Sequence, residues 1–177
     1  MSDADRERPT IAIAHDYLTQ RGGAERVVLV MARAFPGATI YTTIYDPERT
    51  YPEFRDMNIV TSPLNRFALF RRNHRLALPL LPFAANSIRP HEDVVITSSS
   101  GWAHGFDAAG HQLVYCHNPA RWLYQTRDFL GTSPLRRPRG WILLLLRPAL
   151  KRWDRKAAAK ASKYLANSTV VRQRVKQ

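Results

Sequence analysis

Short apolar runs rich in β-branched residues alternate along this chain with longer stretches of helical periodicity. Residues 10–14 (Thr-Ile-Ala-Ile-Ala) form the first run and read as a buried strand. A polar turn carrying Gly22 and Gly23 follows. Residues 24–34 then place Val27, Val28 and Met31, with Phe35 just beyond, at helical spacing, and Pro36-Gly37 ends the pattern. Residues 38–44 read as a second strand, which completes a strand–helix–strand unit. Further strands are expected at 58–60, 93–97, 112–116 and 162–166. Residues 64–84, dense in Leu, Phe and Arg, are expected to be helical and broken near Pro79 and Pro82. A long basic helix is expected over 139–161, and Ser168 is placed to cap a last one.

This alternation predicts an α/β fold: a doubly wound, mostly parallel sheet covered on both faces, in a single domain over 10–177. Residues 1–9 read as a disordered lead-in. A hydrophobic share of 45% supplies a core of ordinary size, which excludes global disorder. The single cysteine, Cys116, excludes an internal disulfide framework and a multi-cysteine zinc site. It alternates with His117 and is expected to face the core rather than act as a nucleophile. The polar first ten residues lack the apolar region of a signal peptide. The longest apolar run, 141–146, is far short of the roughly 20 residues a spanning helix needs. The expected location is the cytoplasm, with contact to the inner face of the plasma membrane.

Charge sharpens that last point. The chain carries a net +13, yet residues 1–130 contribute only +1 and residues 131–177 contribute +12. An anionic partner for the C-terminal segment follows from this; a fold does not. A cation-rich helix carrying Lys151 and Arg152, with Trp141, Leu144 and Trp153, can rest on anionic headgroups. So can residues 66–83, where Arg71, Arg72 and Arg75 interleave with Leu and Phe. A helix packed by its leucines with a solvated charged face explains the same pattern.

In an open parallel sheet, ligands bind beyond the carboxyl ends of the strands. Three such ends carry suitable chemistry. After the first strand come His15 and Asp16, then Arg-Gly-Gly-Ala-Glu at 21–25. Glycines entering a helix let backbone N–H groups approach an anion, though a tight turn needs the same residues. The spacing fits neither the dinucleotide fingerprint nor a P-loop. After the fourth strand, Ser98, Ser99 and Ser100 offer hydroxyls for a phosphate or a sugar, or a helix cap. After the fifth, Pro119 holds Asn118 extended beside His117. His117 is suited to acid–base work or to a sugar hydroxyl, and Arg121 to a phosphate; packing is the bland alternative for the histidine.

These segments in this order are Ile-Ala-Ile-Ala-His-Asp-Tyr with Gly-Gly-Ala-Glu-Arg, Asp-Val-Val-Ile-Thr-Ser-Ser-Ser, Tyr-Cys-His-Asn-Pro-Ala-Arg-Trp-Leu-Tyr, and Tyr-Leu-Ala-Asn-Ser. Together they resemble the N-terminal, acceptor-side domain of GT-B glycosyltransferases. The nearest match is glycosyltransferase family 4, the retaining, nucleotide-sugar-dependent group, and it extends over about residues 10–175. The resemblance implies that Gly22 and Gly23 sit against the donor diphosphate and that His117 faces the transferred sugar as a catalytic residue. It implies an acceptor-side role for Asp16, Ser99 and Arg121. The implied reaction moves a hexose of mannose or glucose type from a nucleotide sugar to a lipid-linked or polysaccharide acceptor, in cell-surface glycan synthesis. No metal or other cofactor and no nucleic acid are expected.

In the family the C-terminal domain holds the nucleotide sugar, through a basic pair and an E-x7-E element. Neither is found in these 177 residues. The chain alone is therefore expected to be inactive, and a separate donor-binding chain is an expected partner. A non-catalytic basic α/β module binding anionic membrane or nucleic acid is the competing reading.

Overall fold

The computed structural model describes residues 9–124 and 138–175. The expected lead-in lies outside them except for Pro9, as do the side chains of Trp141 and Leu144. Six strands form one sheet in the order β3-β2-β1-β4-β5-β6. They are β1 (Ile11–His15), β2 (Thr39–Thr42), β3 (Ile59–Thr61), β4 (Val94–Ser99), β5 (His111–Cys116) and β6 (Lys163–Ala166). Every pairing is parallel, so the sheet is wholly rather than mostly parallel. Helices α1 (Gly23–Ala34), α2 (Ala68–Arg72), α3 (Leu81–Asn86), α4 (Arg121–Tyr124), α5 (Pro138–Lys160) and α6 (Thr169–Val175) flank it.

The core follows from period-2 alternation on the central strand. Ala12 and Ala14 face one layer, with Leu81, Ala85, Trp102, Leu123 and Leu150. Ile13 faces the other, with Val28 and Leu29 of α1, Ile40 and Phe54. All three β1 residues are fully buried, and Ile13 alone contributes roughly 1.5–3 kcal/mol by leaving water. The first layer accepts Trp102 and Leu81 because alanines stand opposite. Helix α1 begins at Gly22, carries Glu25 in its first turn and Arg33 in its last, and so complements its own dipole. Gly37, at φ +81°, turns the chain into β2 in a conformation that L side chains rarely adopt.

The helical stretch expected at 64–84 is a ribbon, broken as expected near Pro79 and Pro82, and also at Asn73. A 3₁₀ turn (Pro63–Arg66), α2, a second 3₁₀ turn (His74–Leu80) and α3 follow one another. Asn73, at φ −146° and ψ 83°, interrupts the helical backbone. Pro79 removes a donor inside the second turn, and Pro82 starts α3 at a position where its missing N–H costs nothing. Phe67, Leu69, Leu80 and Phe83 of this ribbon are solvent-exposed. Ser168 caps α6, its Oγ accepting from the Val171 N–H at 3.2 Å. Cys116 is buried in the core, and burial pushes its thiol up to about 12.

Candidate active site at the switch between β1 and β4

The chain leaves β1 toward β2 on one side, while β4 pairs with β1 on the other. The connections beyond these two strands diverge, and such a switch point opens a crevice at the carboxyl ends. His15 closes β1 directly opposite Ser98 of β4. The seam gathers buried polar residues: His15, Asp16, Glu25, Ser98 and Ser99.

One row of side chains crosses the seam. His15 Nδ1 lies 2.9 Å from the Ser98 carbonyl oxygen and 3.1 Å from Ser98 Oγ. Ser98 Oγ lies 2.8 Å from His117 Nε2. On the other flank, His15 Nε2 faces Glu25 Oε1 at 3.8 Å, and Gln20 Nε2 donates to the same oxygen at 3.0 Å. Glu25 Oε2 is buried without a hydrogen-bond partner. Burial works against charge on both members of this pair, but each stabilises the other's ionised form. His15 is thereby held above its ordinary pKa, with help from Asp16. Glu25 is held below its own. Burial, then the neighbouring His15, pull His117 below the ordinary histidine value.

A second network lies beside the first. Asp16 accepts from the backbone N–H groups of Ser100, Trp102 and Ala103, the last two at 2.7 Å. Ser99 Oγ donates to Asp16 Oδ1 at 3.4 Å and lies 3.3 Å from His104 Nδ1. His104 Nε2 lies 3.1 Å from Asp154 of α5, which also accepts from Tyr124 Oη at 2.5 Å. Asp16 and Ser99 thus hold the turn after β4. Ser99 borders a smaller cavity of about 220 Å³ against α5, which adjoins the cleft that His117 lines across Asn118 and Arg174.

That cleft holds about 520 Å³. His117, Asn118 and Arg121 follow β5; Tyr17 and Gln20 follow β1; His74 and Arg75 come from the ribbon; Asn167, Ser168 and Arg174 come from the β6–α6 corner. Tyr17 and His74 stack with ring centroids 4.1 Å apart, and Thr19 Oγ1 lies 3.0 Å from His74 Nδ1. Burial, together with the Arg75 charge, lowers His74 to about 4. The lining contains three arginines and no carboxylate among the described residues, so it favours an anionic ligand.

The structure brings His117 and Arg121 into one cleft and sets the remaining expected site residues elsewhere. A Cβ on Gly22 would stand 2.4 Å from Glu25 Oε2, so this glycine makes room for the buried carboxylate. A Cβ on Gly23 would meet nothing within 4 Å. Arg71 is half-buried and donates to the Asn65 carbonyl, whereas Arg72 is exposed. On α5, Lys151 Nζ stands 5.1 Å from the Tyr124 ring centroid, and Arg152 is exposed.

Sequence reasoning gave no role to Glu25, His74 or His104. For Glu25 a signal exists: it stands three and four positions before Val28 and Leu29, on the buried face of α1. For His104 and Asp154, 50 positions apart, no local pattern announces the contact.

No curated protein and no solved structure matches this chain. A family model does: Glycosyltransferase Family 4, over residues 21–177. The matched span contains α1, all strands after β1 and the cleft lining except Tyr17 and Gln20. With the wholly parallel sheet in the order 3-2-1-4-5-6, this makes the molecule a Rossmann-like α/β domain of GT-B N-terminal type, and the chain belongs to Glycosyltransferase Family 4.

Proposed function

We propose that this domain forms the acceptor side of a hexosyl transfer from a nucleotide sugar, with mannose- or glucose-type sugars as donors and a lipid-linked or polysaccharide glycan as acceptor. The observation that carries the reading is the cleft at the β1–β4 switch, where His117 stands among Arg75, Arg121 and Arg174. Developing negative charge on a leaving nucleoside diphosphate is stabilised by fixed cations and N–H donors. In this reading Gly23, with open space at its Cα, accepts the close approach of the diphosphate to the α1 N-terminus. His117 contacts the sugar. A donor-binding domain or separate chain carrying the basic pair and E-x7-E element closes over the other side.

The acceptor reaches this cleft from the cytoplasmic face of an anionic membrane. Support comes from the ribbon that lines the cleft through His74 and Arg75. Its outer surface exposes Phe67, Leu69 and Phe83 (72% exposed) around Arg66 and Arg72. Apolar groups that enter the headgroup layer, flanked by cations worth about 1 kcal/mol each near the surface, suit such a contact. No helix among the described residues is long and apolar enough to cross a membrane.

The test is calorimetric titration of the chain with UDP-glucose and GDP-mannose, with and without liposomes containing anionic lipid. Arg121→Ala is expected to weaken nucleotide-sugar binding at least tenfold. Binding that ignores Arg121 and His117→Ala overturns the site. Co-sedimentation with neutral and anionic liposomes alike overturns the electrostatic membrane contact.

A further inference from the structure

The row Glu25–His15–Ser98–His117 has a direction, and one atom in it sets that direction. The carbonyl oxygen of Ser98 can only accept a hydrogen bond. It lies 2.9 Å from His15 Nδ1, so that nitrogen carries a proton. The same N–H reaches Ser98 Oγ at 3.1 Å, which makes Oγ an acceptor toward His15. The Ser98 O–H is then left to donate, and His117 Nε2 lies 2.8 Å away. A nitrogen that accepts cannot carry a proton of its own. We propose that Ser98, oriented by His15 and Glu25, locks neutral His117 as its Nδ1–H tautomer, so that the cleft meets His117 as a hydrogen-bond donor and not as a base.

The alternative tautomer is costly in this setting. With a proton on His117 Nε2, Ser98 Oγ would accept from both histidines and its own hydroxyl hydrogen would have no acceptor among these groups. Leaving a bond of a buried group unmade is unfavourable, because water cannot replace the lost partner. The remaining neighbours agree with the assignment. His15 and Glu25 are both almost completely buried, and Glu25 favours the protonated form of His15 behind Ser98. Burial, then His15, lower His117 against the weaker opposing pull of Asp16 and Glu25, which favours its neutral form. His117 is further held by its backbone N–H, which donates to the Ser99 carbonyl at 2.9 Å, and by a T-shaped contact with the Tyr115 ring, centroids 5.1 Å apart. Glu25, His15 and Ser98 are therefore positioning residues acting through His117. Outer partners that fix a histidine tautomer this way are a general device of histidine sites.

The sense of the hydrogen bond limits what His117 can do. A donor at Nδ1 holds an oxygen of the ligand, such as a sugar hydroxyl or a phosphoryl oxygen. Its other nitrogen already accepts the Ser98 hydroxyl, so it cannot take a proton from that ligand. This conclusion rests on the reading of His117 as a ligand-facing residue. The lock itself exists in the ligand-free chain and is measured there.

The experiment is nitrogen NMR of the whole chain labelled in its histidine rings, at neutral pH and without ligand. His117 is expected to show a protonated Nδ1 and an unprotonated Nε2. Ser98→Ala is expected to release the lock and populate the Nε2–H form; Ser98→Thr, which keeps the hydroxyl, is expected to restore the wild-type pattern. A wild-type His117 protonated at Nε2 overturns the proposal, even if Ser98→Ala does not fold. So does a tautomer that Ser98→Ala leaves unchanged. Titration with GDP-mannose or UDP-glucose then tests the underlying reading separately: a locked His117 whose signals ignore every nucleotide sugar keeps the lock and removes the ligand-facing role.

Discussion

Asp16 and Glu25 are buried to almost the same degree, at 2% and 1% exposure, and both flank the carboxyl end of β1. Asp16 meets backbone. Its oxygens collect N–H groups from Ser100, Trp102 and Ala103, so the carboxylate ties the turn after β4 to the end of β1. Glu25 meets side chains. One of its oxygens serves His15 and Gln20 and the other has no hydrogen-bond partner. A carboxylate surrounded by amides behaves as a structural anchor, because its charge is neutralised by dipoles that do not titrate. A carboxylate coupled to a buried histidine keeps a pH-sensitive field directed at the cleft. Two residues of similar type and equal burial thus divide scaffold from site.

The largest expected effect tests the anchor. Asp16→Ala strands buried N–H groups in the turn after β4 and is expected to cost about 3–5 kcal/mol of unfolding free energy, read by urea denaturation. A loss below about 1 kcal/mol would show that water replaces the carboxylate. The next concerns Glu25. His15, raised above its ordinary 6.5, stabilises the fold below that pH and loses this contribution as pH rises through its folded value. Glu25, lowered from 4.5, contributes above that pH and loses it as pH falls through its folded value. Both contributions are therefore present together between about pH 4.5 and 6.5. Glu25→Gln is expected to lower stability there by about 1–3 kcal/mol and to flatten the pH profile. An unchanged profile in Glu25→Gln refutes the coupling.

Smaller effects separate the two glycines at the start of α1. Gly22→Ala forces its Cβ against Glu25 Oε2 and is expected to cost about 1–3 kcal/mol. Gly23→Ala meets open space and is expected to stay within about 0.5 kcal/mol of wild type in thermal melts. If Gly23→Ala nevertheless weakens nucleotide-sugar binding, the space it fills belongs to the ligand. Unchanged binding would leave both glycines with a structural role alone.

How far the sequence discloses this molecule depends on the distance between partners. The strands are legible because parallel strands buried on both faces read as short runs rich in apolar and β-branched residues, as at Ile11–His15 and Val94–Ser99. Helix α1 is legible through its apolar spacing and its Pro-Gly stop. The ribbon before β4 is legible in part: Pro79 and Pro82 announce a break in the helical stretch of residues 64–84, while Asn73 adds one that no proline marks. Within the site, His117 and Arg121 stand out because strand-end position alone suffices to place them. Asp16 does not, because its donors lie 84–87 positions away. The service of Ser98 to two histidines needs the pairing of three strands, which no window of neighbouring residues contains.

The same separation governs the order in which the molecule assembles. Strand β1 meets β2 through partners 27 positions apart, such as Ala12 and Thr39, but meets β4 through partners 83 apart, such as Ile11 and Val94. Closing the longer loop costs about 1 kcal/mol more chain entropy than closing the shorter. Pairings of such high contact order form slowly. The β1–β2 unit can thus zip while the seam that holds His15 against Ser98 is still open. In the newly made chain, His15 and Glu25 then stay solvent-accessible until β4 docks, and the burial that couples them arrives with the longer-range pairing.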